Sequence, residues 1–335
     1  MAFRHSGGSL ILAVAFLAAI AARQPLSAQA HFTVDGFPRV SGSTSTQPIT
    51  ILAACRLFGW TYRWSQSFFD PDNPRTVWPD VKDFHLTLWP RIRHQQTHQS
   101  YIDLIEGKAD LILVARDISA DERVLLNQRG VTLDTRPVAL DALTFIVHAT
   151  NPVTNLQLEN IRLIYGGTQL TWKQMGGEAD RPVQPLLRNR NSGSQELFVK
   201  HVMGDRAILA TERAPLVTMM GVVDQVGRAP DDLGYSLFYY LQHMAGLAKE
   251  LESTMRPGIL ADMRPSPPPP VKLISVDGVM PSRSTIADGS YPFREPVLVV
   301  IRRDASDTTR RLRDWLLSDD GQKTIAESGY VPLAK

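Results

Sequence analysis

The stretch ADLILVA at Ala109–Ala115 is a short, continuous apolar run of the kind buried on both faces of a parallel sheet. A second run, LTFIVH at Leu143–His148, is β-branched and aromatic and closes at Asn151-Pro152. Val271–Val276 and Val297–Arg302 read as further strands. Between these runs lie stretches with helical spacing: Gln47–Trp60, Ser100–Lys108, Ser119–Gly130 with Ser119 as cap, Ser194–Met203 and Asp307–Ser318. Strand and helix patterns alternate along the chain, so the expected class is α/β with mostly parallel sheets. His31–Val40 reads as a short strand, Val183–Leu187 as strand-like, and Asp232–Tyr235 as a turn leading into Ser236–Leu241. Ser67–Asp83, with FDPDNPRTVWPD at its centre, reads as a loop or insertion, and Arg264–Pro270, RPSPPPP, as an extended surface connector.

Residues 1–30 have the layout of a secretory signal peptide: Arg4, an apolar run from Leu10 to Ala22, and Ala28-Gln29-Ala30 as the cleavage box. That reading makes the mature protein exported, periplasmic or secreted, from near His31. The full chain of 335 residues carries 36 Lys and Arg against 34 Asp and Glu. Losing Arg4 and Arg23 with the leader leaves 34 of each sign. No clustered basic face of the kind nucleic acid requires is evident. The lone Cys55 rules out an intramolecular disulfide, so stability must come from burial. A mature chain of roughly 300 residues favours two domains over one.

Three places share one physical theme. Gly42-Ser43-Thr44-Ser45-Thr46 lies between a strand and a helix, Thr97 just before a helix, and Ser192-Gly193-Ser194 at a helix start with Arg188 and Arg190 upstream. Hydroxyls and unpaired backbone N–H groups at a helix N-terminus favour an anion. Arginine adds a planar donor fork suited to tetrahedral oxyanions. The same Ser and Thr residues also serve as ordinary helix caps, and a single such place decides nothing.

Other chemistry is weaker. His94 and His98 are four apart with His85 near, but no carboxylate or Cys completes a metal set. Asp70-Pro71-Asp72-Asn73 lacks the glycine and terminal Glu of a calcium loop. Ser192-Gly193-Ser194 is no nucleophile elbow, and His148, His201 and His243 show no base arrangement, so no catalytic residue, metal or cofactor is assigned. Trp172 and Trp315 read as core, and Tyr239 or Tyr240 as core or cleft lining.

The order of motifs carries a resemblance. GSTST is followed by Thr97-His98-x-x-Tyr101, LIEGKADLILVAR, PVALDALTFIVHATNPV, IRLIYGGTQLTWKQMGG and RNRNSGSQELF; DLGYSL, DGVMPSRSTIADGSYPF and DDGQKTIAESGYVPL complete it. This resembles the phosphate-binding periplasmic solute receptors of phosphate ABC importers, from Val40 to Leu333. The resemblance implies a two-lobed type II periplasmic-binding-protein fold, each lobe a mostly parallel sheet flanked by helices, joined by two crossover strands. It implies lobe I at 31–145 plus 297–335, lobe II at 146–296, and an anion held between them. By position, the family's ligand contacts fall on Gly42, Thr44, Ser45, Thr97, Arg188, Ser192, Gly193 and Ser194, with Ser43 inside the same loop. Phosphate or a related oxyanion is the implied ligand, ABC transporter membrane subunits the partner, and the receptor a monomer without enzymatic activity. A same-fold accessory or sensor protein with altered ligand is the alternative, and an exported hydrolase the third reading.

Two departures are visible. Transport-type members often carry an aspartate after the strand that begins at Asp110, where it accepts the proton of hydrogen phosphate; here the residues are Ala115-Arg116-Asp117, so Arg116 and Asp117 become candidate contacts and proton-based selectivity is open. The second loop holds Gln96, His98 and Gln99 where small residues are usual, and His98 is a candidate to touch the ligand or plug the site.

Overall fold

A computed structural model describes residues 32–66, 75–209, 213–247 and 269–334. In chain order these form β1 (Val40–Gly42), α1 (Gln47–Phe58), β2 (Tyr62–Gln66), β3 (Arg75–Pro79), α2 (Phe84–Thr87), β4 (Ile92–Arg93), α3 (Thr97–Ile105), β5 (Leu111–Val114), α4 (Ala120–Gln128) and β6 (Leu133–His148). There follow β7 (Asn155–Leu156), α5 (Leu158–Tyr165), β8 (Gln184–Pro185), α6 (Gly193–Phe198), α7 (Met219–Arg228), β9 (Asp232–Leu237) and β10 (Val271–Val276). The chain closes with α8 (Arg283–Asp288), β11 (Arg294–Arg302), α9 (Asp307–Leu317), α10 (Asp319–Ser328) and β12 (Val331–Pro332).

The apolar run ADLILVA is β5, and it is buried on both faces. Leu111 and Leu113 pack into the main core, while Ile112 and Val114 face a second cluster with Tyr101, Leu104, Leu298 and Val300. Alternate residues of a strand point to opposite faces, so an unbroken apolar run is what a doubly covered strand needs. Strands run in the order β4-β1-β5-β11-β6-β10-β7, with β12 and β9 also on β6 and β8 on β9. Parallel ladders join β1 to β4 and β5, β10 to β7, and β8 to β9.

β6 ties the two halves of this assembly together. Its first part, Leu133–Ala142, pairs antiparallel with β11, and its second part pairs with β9 from Leu143 and with β10 from Phe145. The change of partner falls at Ala142/Leu143, where Leu143 N–H donates to the Phe293 carbonyl at 3.1 Å. β11 runs beside the first part of β6 and carries a register shift at Val297/Leu298. A mixed α/β arrangement, its sheet flanked by helices, is therefore the one adopted.

Local readings differ in places. The strand LTFIVH is only the second half of the 16-residue β6. Pro137 and the charges of LDTRP hide its first half from a hydropathy reading. Asp232–Tyr235 is not a turn but the start of β9, buried throughout. Arg75–Pro79, read as loop, pairs with β2 as a separate two-stranded sheet; Arg75, Thr76 and Val77 are buried there. The first strand begins at Val40, with a turn-rich segment before it. The predicted signal peptide lies outside the described residues, as does the predicted connector Arg264–Pro270 apart from Pro269 and Pro270. No helix among the described residues is long and apolar enough to cross a membrane. Tyr239 and Tyr240 are core residues, 1% and 0% exposed.

Candidate functional site

Four helix starts face one cavity of about 340 Å³, within the range of small-ligand sites. The first follows β1, where the backbone of Ser43 to Thr46 leads into α1. Ser43 N–H donates to the Leu113 carbonyl at 2.9 Å, its Oγ accepts from Ala115 N–H at 3.1 Å, and Oγ lies 2.7 Å from Thr97 Oγ1. That last contact joins the first helix start to the second, at α3. The residue before Thr97 is Gln96, with φ 76° and ψ 159°, a backbone region that glycine adopts freely and other residues pay for in strain. Gln96→Gly is expected to raise the melting temperature by roughly 2–4 °C, since relief of about 1–3 kcal/mol of strain exceeds the backbone entropy lost to glycine. A scanning-fluorimetry melt that is unchanged or lower would refute strain at this position.

The third start is α6. Ser192 Oγ caps it by accepting from Gln195 N–H at 3.2 Å, and the helix continues as a wider turn through Met203. Ser194 is 4% exposed, lines the cavity, and its Oγ has no hydrogen-bond partner among the described residues. A buried hydroxyl without a partner costs free energy unless a ligand supplies the bond. Phe198 stacks on Tyr235 of β9 at 4.6 Å and 7°, fixing α6 on the sheet. The Tyr235 hydroxyl in turn accepts from Arg188 N–H at 3.1 Å. Arg188 is 5% exposed; its Nε donates to the Leu216 carbonyl at 3.1 Å and Nη2 to the Val217 carbonyl at 2.9 Å. Those two bonds set the position of the next residue, Thr218, whose Oγ1 caps α7 by accepting from Gly221 N–H at 2.9 Å. Thr218 is the fourth helix start on the cavity.

His94 lines the same cavity beside Ser43 and Thr46. Its Nδ1 is 3.0 Å from the Ser43 carbonyl, which can only accept, so Nδ1 carries the proton. Nε2, 3.1 Å from Thr50 Oγ1, then accepts from that hydroxyl. Burial lowers the imidazole pKa to about 4, so the ring is neutral at physiological pH. Among the described residues Arg188 is thus the cationic side chain of the lining, and no Asp or Glu side chain lines it.

Ser43, Thr44, Ser45, Thr97, Arg188, Ser192, Gly193 and Ser194 all line this one cavity. The four further candidates do not. Gly42 lies behind the wall, where an added Cβ would stand 2.4 Å from the Leu113 carbonyl oxygen and 2.6 Å from the His94 ring. His98 turns to Glu122, with Nδ1 2.9 Å from Oε1, so it neither contacts nor plugs the cavity. Arg116 turns away as well, bidentate to Glu122 at 2.7 and 2.8 Å, leaving Ala115 on the cavity wall. Asp117 is exposed and accepts from Ile118 N–H through Oδ1. His94 and His98 therefore serve different partners, and among the described residues no group of three or more His, Cys, Asp or Glu is placed to hold a metal. Sequence reasoning missed His94, Gln95 and Thr218. Thr218 had a legible signal, a Thr directly before the amphipathic stretch Met219–Arg228.

The sequence profile described as a PBP superfamily domain matches residues 80–320, well over half of the chain. The chain belongs to the PBP superfamily. Among PBP-type relatives, "Phosphate-binding protein PstS" of Staphylococcus saprophyticus is 23% identical over 235 residues, covering 69% of this chain and 67% of that protein. The same-named protein of Staphylococcus haemolyticus is 22% identical over 240 residues, covering 70% of this chain and 69% of that protein. Among solved structures, a putative phosphate ABC transporter substrate-binding protein with bound phosphate from Clostridium perfringens superposes with a TM-score of 0.61 at 20% identity. It covers 88% of this chain and 98% of its own. An ABC-type phosphate transport receptor from Vibrio cholerae superposes with a TM-score of 0.55 at 22% identity, covering 87% and 98%. These superpositions establish the superfamily's fold for this chain.

Proposed function

We propose that this protein is an exported receptor that binds phosphate, or a related tetrahedral oxyanion, in the cavity and delivers it to an ABC importer. The observation that carries the reading is the partnerless, buried Ser194 Oγ at a helix start, facing a cavity onto which three other helix starts also open. Helix dipoles, hydroxyls and the Arg188 guanidinium all favour negative charge there. The names of the relatives and structural neighbours point the same way. In this reading the segments 31–145 and 297–335 form one lobe and 146–296 the other, and closure about the crossing strands gives a shape that the importer's membrane subunits read. Residues 1–30 act as the export signal, the receptor works as a monomer, and no bond is made or broken in the ligand.

Among the described residues the cavity wall carries no carboxylate, and His94 is engaged on both ring nitrogens, so none of them offers an acidic acceptor for the proton of hydrogen phosphate. Sulfate, which has no such proton at neutral pH, is expected to bind within about tenfold of phosphate, the worth of a single hydrogen bond. Calorimetry of exhaustively dialysed protein against phosphate, arsenate, sulfate and molybdate tests both points. One-to-one binding with a small phosphate-to-sulfate ratio is the expected result. Silence toward all four ions would end the receptor reading, and a ratio of a thousand or more would show a proton acceptor in the cavity, contrary to the expectation.

A further inference from the structure

Arg116, Glu122 and Glu196 form a charge cluster outside the cavity. The Arg116 side chain is 4% exposed and that of Glu122 is 0% exposed. Their bidentate pair is closed off on the β5 and α4 side: Glu122 also receives Ser119 N–H at 2.8 Å and His98 Nδ1 at 2.9 Å. Arg116 Nη1 donates in addition to the Asp117 carbonyl at 2.7 Å, and the guanidinium lies 5.5 Å above the Tyr101 ring. The group left to face outward is Nε, 2.7 Å from Glu196 Oε2, close enough for an ion pair though off the line of a hydrogen bond. Glu196 belongs to α6, the helix that carries Ser192, Gly193 and Ser194, and it packs against a side chain from the opposite wall. The walls also meet at Gly193, where an added Cβ would stand 2.7 Å from Thr97 Oγ1.

We propose that the Arg116–Glu196 pair is a latch holding the α6 wall of the anion cavity against the α3 and α4 side, which makes Arg116 and Glu196 positioning residues for binding. The inference rests on the receptor reading above. Neither side chain lines the cavity, so the pair acts on the ligand only by keeping Ser194 and Thr97 at a fixed separation. One cation here serves two carboxylates. Burial, followed by the neighbouring Glu122 and Asp121, raises the Glu196 pKa to about 7 against the pull of Arg116 and the smaller effect of His98. The latch is therefore ionic above neutral pH and loses its charge as pH falls through 7.

Glu196→Gln in the full chain, with inorganic phosphate as probe, tests this. Glu196 is half-buried and the substitution keeps its shape, so the variant is expected to fold with the ligand-free melting temperature of the parent. Its phosphate affinity is expected to fall about fivefold at pH 8, mostly through faster release, as for a lost partly buried ion pair. The ratio of parent to variant affinity, which cancels the ligand's own titration, should approach one on acidification through the Glu196 pKa of about 7. Unchanged affinity at pH 8 would overturn the latch, as would a loss matched by an equal loss of ligand-free stability. Failure of the parent protein to bind phosphate would remove the receptor reading and the latch together; binding by both proteins with equal affinity would remove the latch alone.

Discussion

Arg188→Ala is expected to weaken phosphate binding by roughly 30-fold or more. The guanidinium is 5% exposed on the cavity wall, and truncating one partner of a buried charged contact costs about 2–5 kcal/mol, with every 1.4 kcal/mol a factor of ten. The loss has a second source. Nε and Nη2 hold the Leu216 and Val217 carbonyls, so truncation also frees the backbone that presents Thr218 to the cavity. Arg188→Lys keeps the charge but cannot bridge both carbonyls with a planar fork, and it is expected to fall between parent and alanine variant. Calorimetry with far-UV circular dichroism on the same samples separates binding from folding. A folded Arg188→Ala protein with parental affinity would remove Arg188 from the site.

The second large effect concerns folding. Gly42→Ala would force a Cβ to 2.4 Å from the Leu113 carbonyl oxygen and 2.6 Å from two atoms of the His94 ring. Leu113 cannot yield easily, because β1 and β5 pair in parallel with Gly42 opposite Leu113, and its carbonyl accepts from both Ser43 N–H and Thr46 Oγ1. Moving the ring instead breaks its bonds to Ser43 and Thr50. Overpacking of this kind typically costs about 1–3 kcal/mol, and with the broken bonds the total reaches about 4, a large part of the 5–15 kcal/mol that holds a domain folded. The expected outcome is poor soluble yield or a melting temperature lower by roughly 8 °C or more. Gly193→Ala is the contrast, because its added Cβ meets only the Thr97 side chain, Oγ1 at 2.7 Å, and no backbone atom: the fold should survive while binding weakens. Equal melting of Gly42→Ala and the parent would refute the close approach.

The two glycines show how far the sequence carried. Gly42 and Gly193 read alike, each inside a hydroxyl-rich loop before a helix, yet one supports the wall and the other forms it. Local pattern identified the helix starts because caps are short-range features, and all eight principal site residues meet in one cavity. Position along the chain puts Arg116 and His98 near the ligand, but their orientation depends on Glu122 of α4, which binds Arg116 from six residues on and His98 from a different helix. Cross-chain pairings of that kind leave no periodic signal. The same holds for β3, whose partner strand covers residues that composition alone assigns to a loop, and for β6, whose polar start at Leu133–Pro137 lacks the hydropathy of its buried remainder.

The most direct test of the anion site is a crystal structure of the protein soaked in phosphate. The expected result is one tetrahedral density within hydrogen-bond distance of Ser194 Oγ, Thr97 and the Arg188 guanidinium, with Arg116 still paired to Glu122. Density bound elsewhere, or an empty cavity at saturating phosphate, would contradict it.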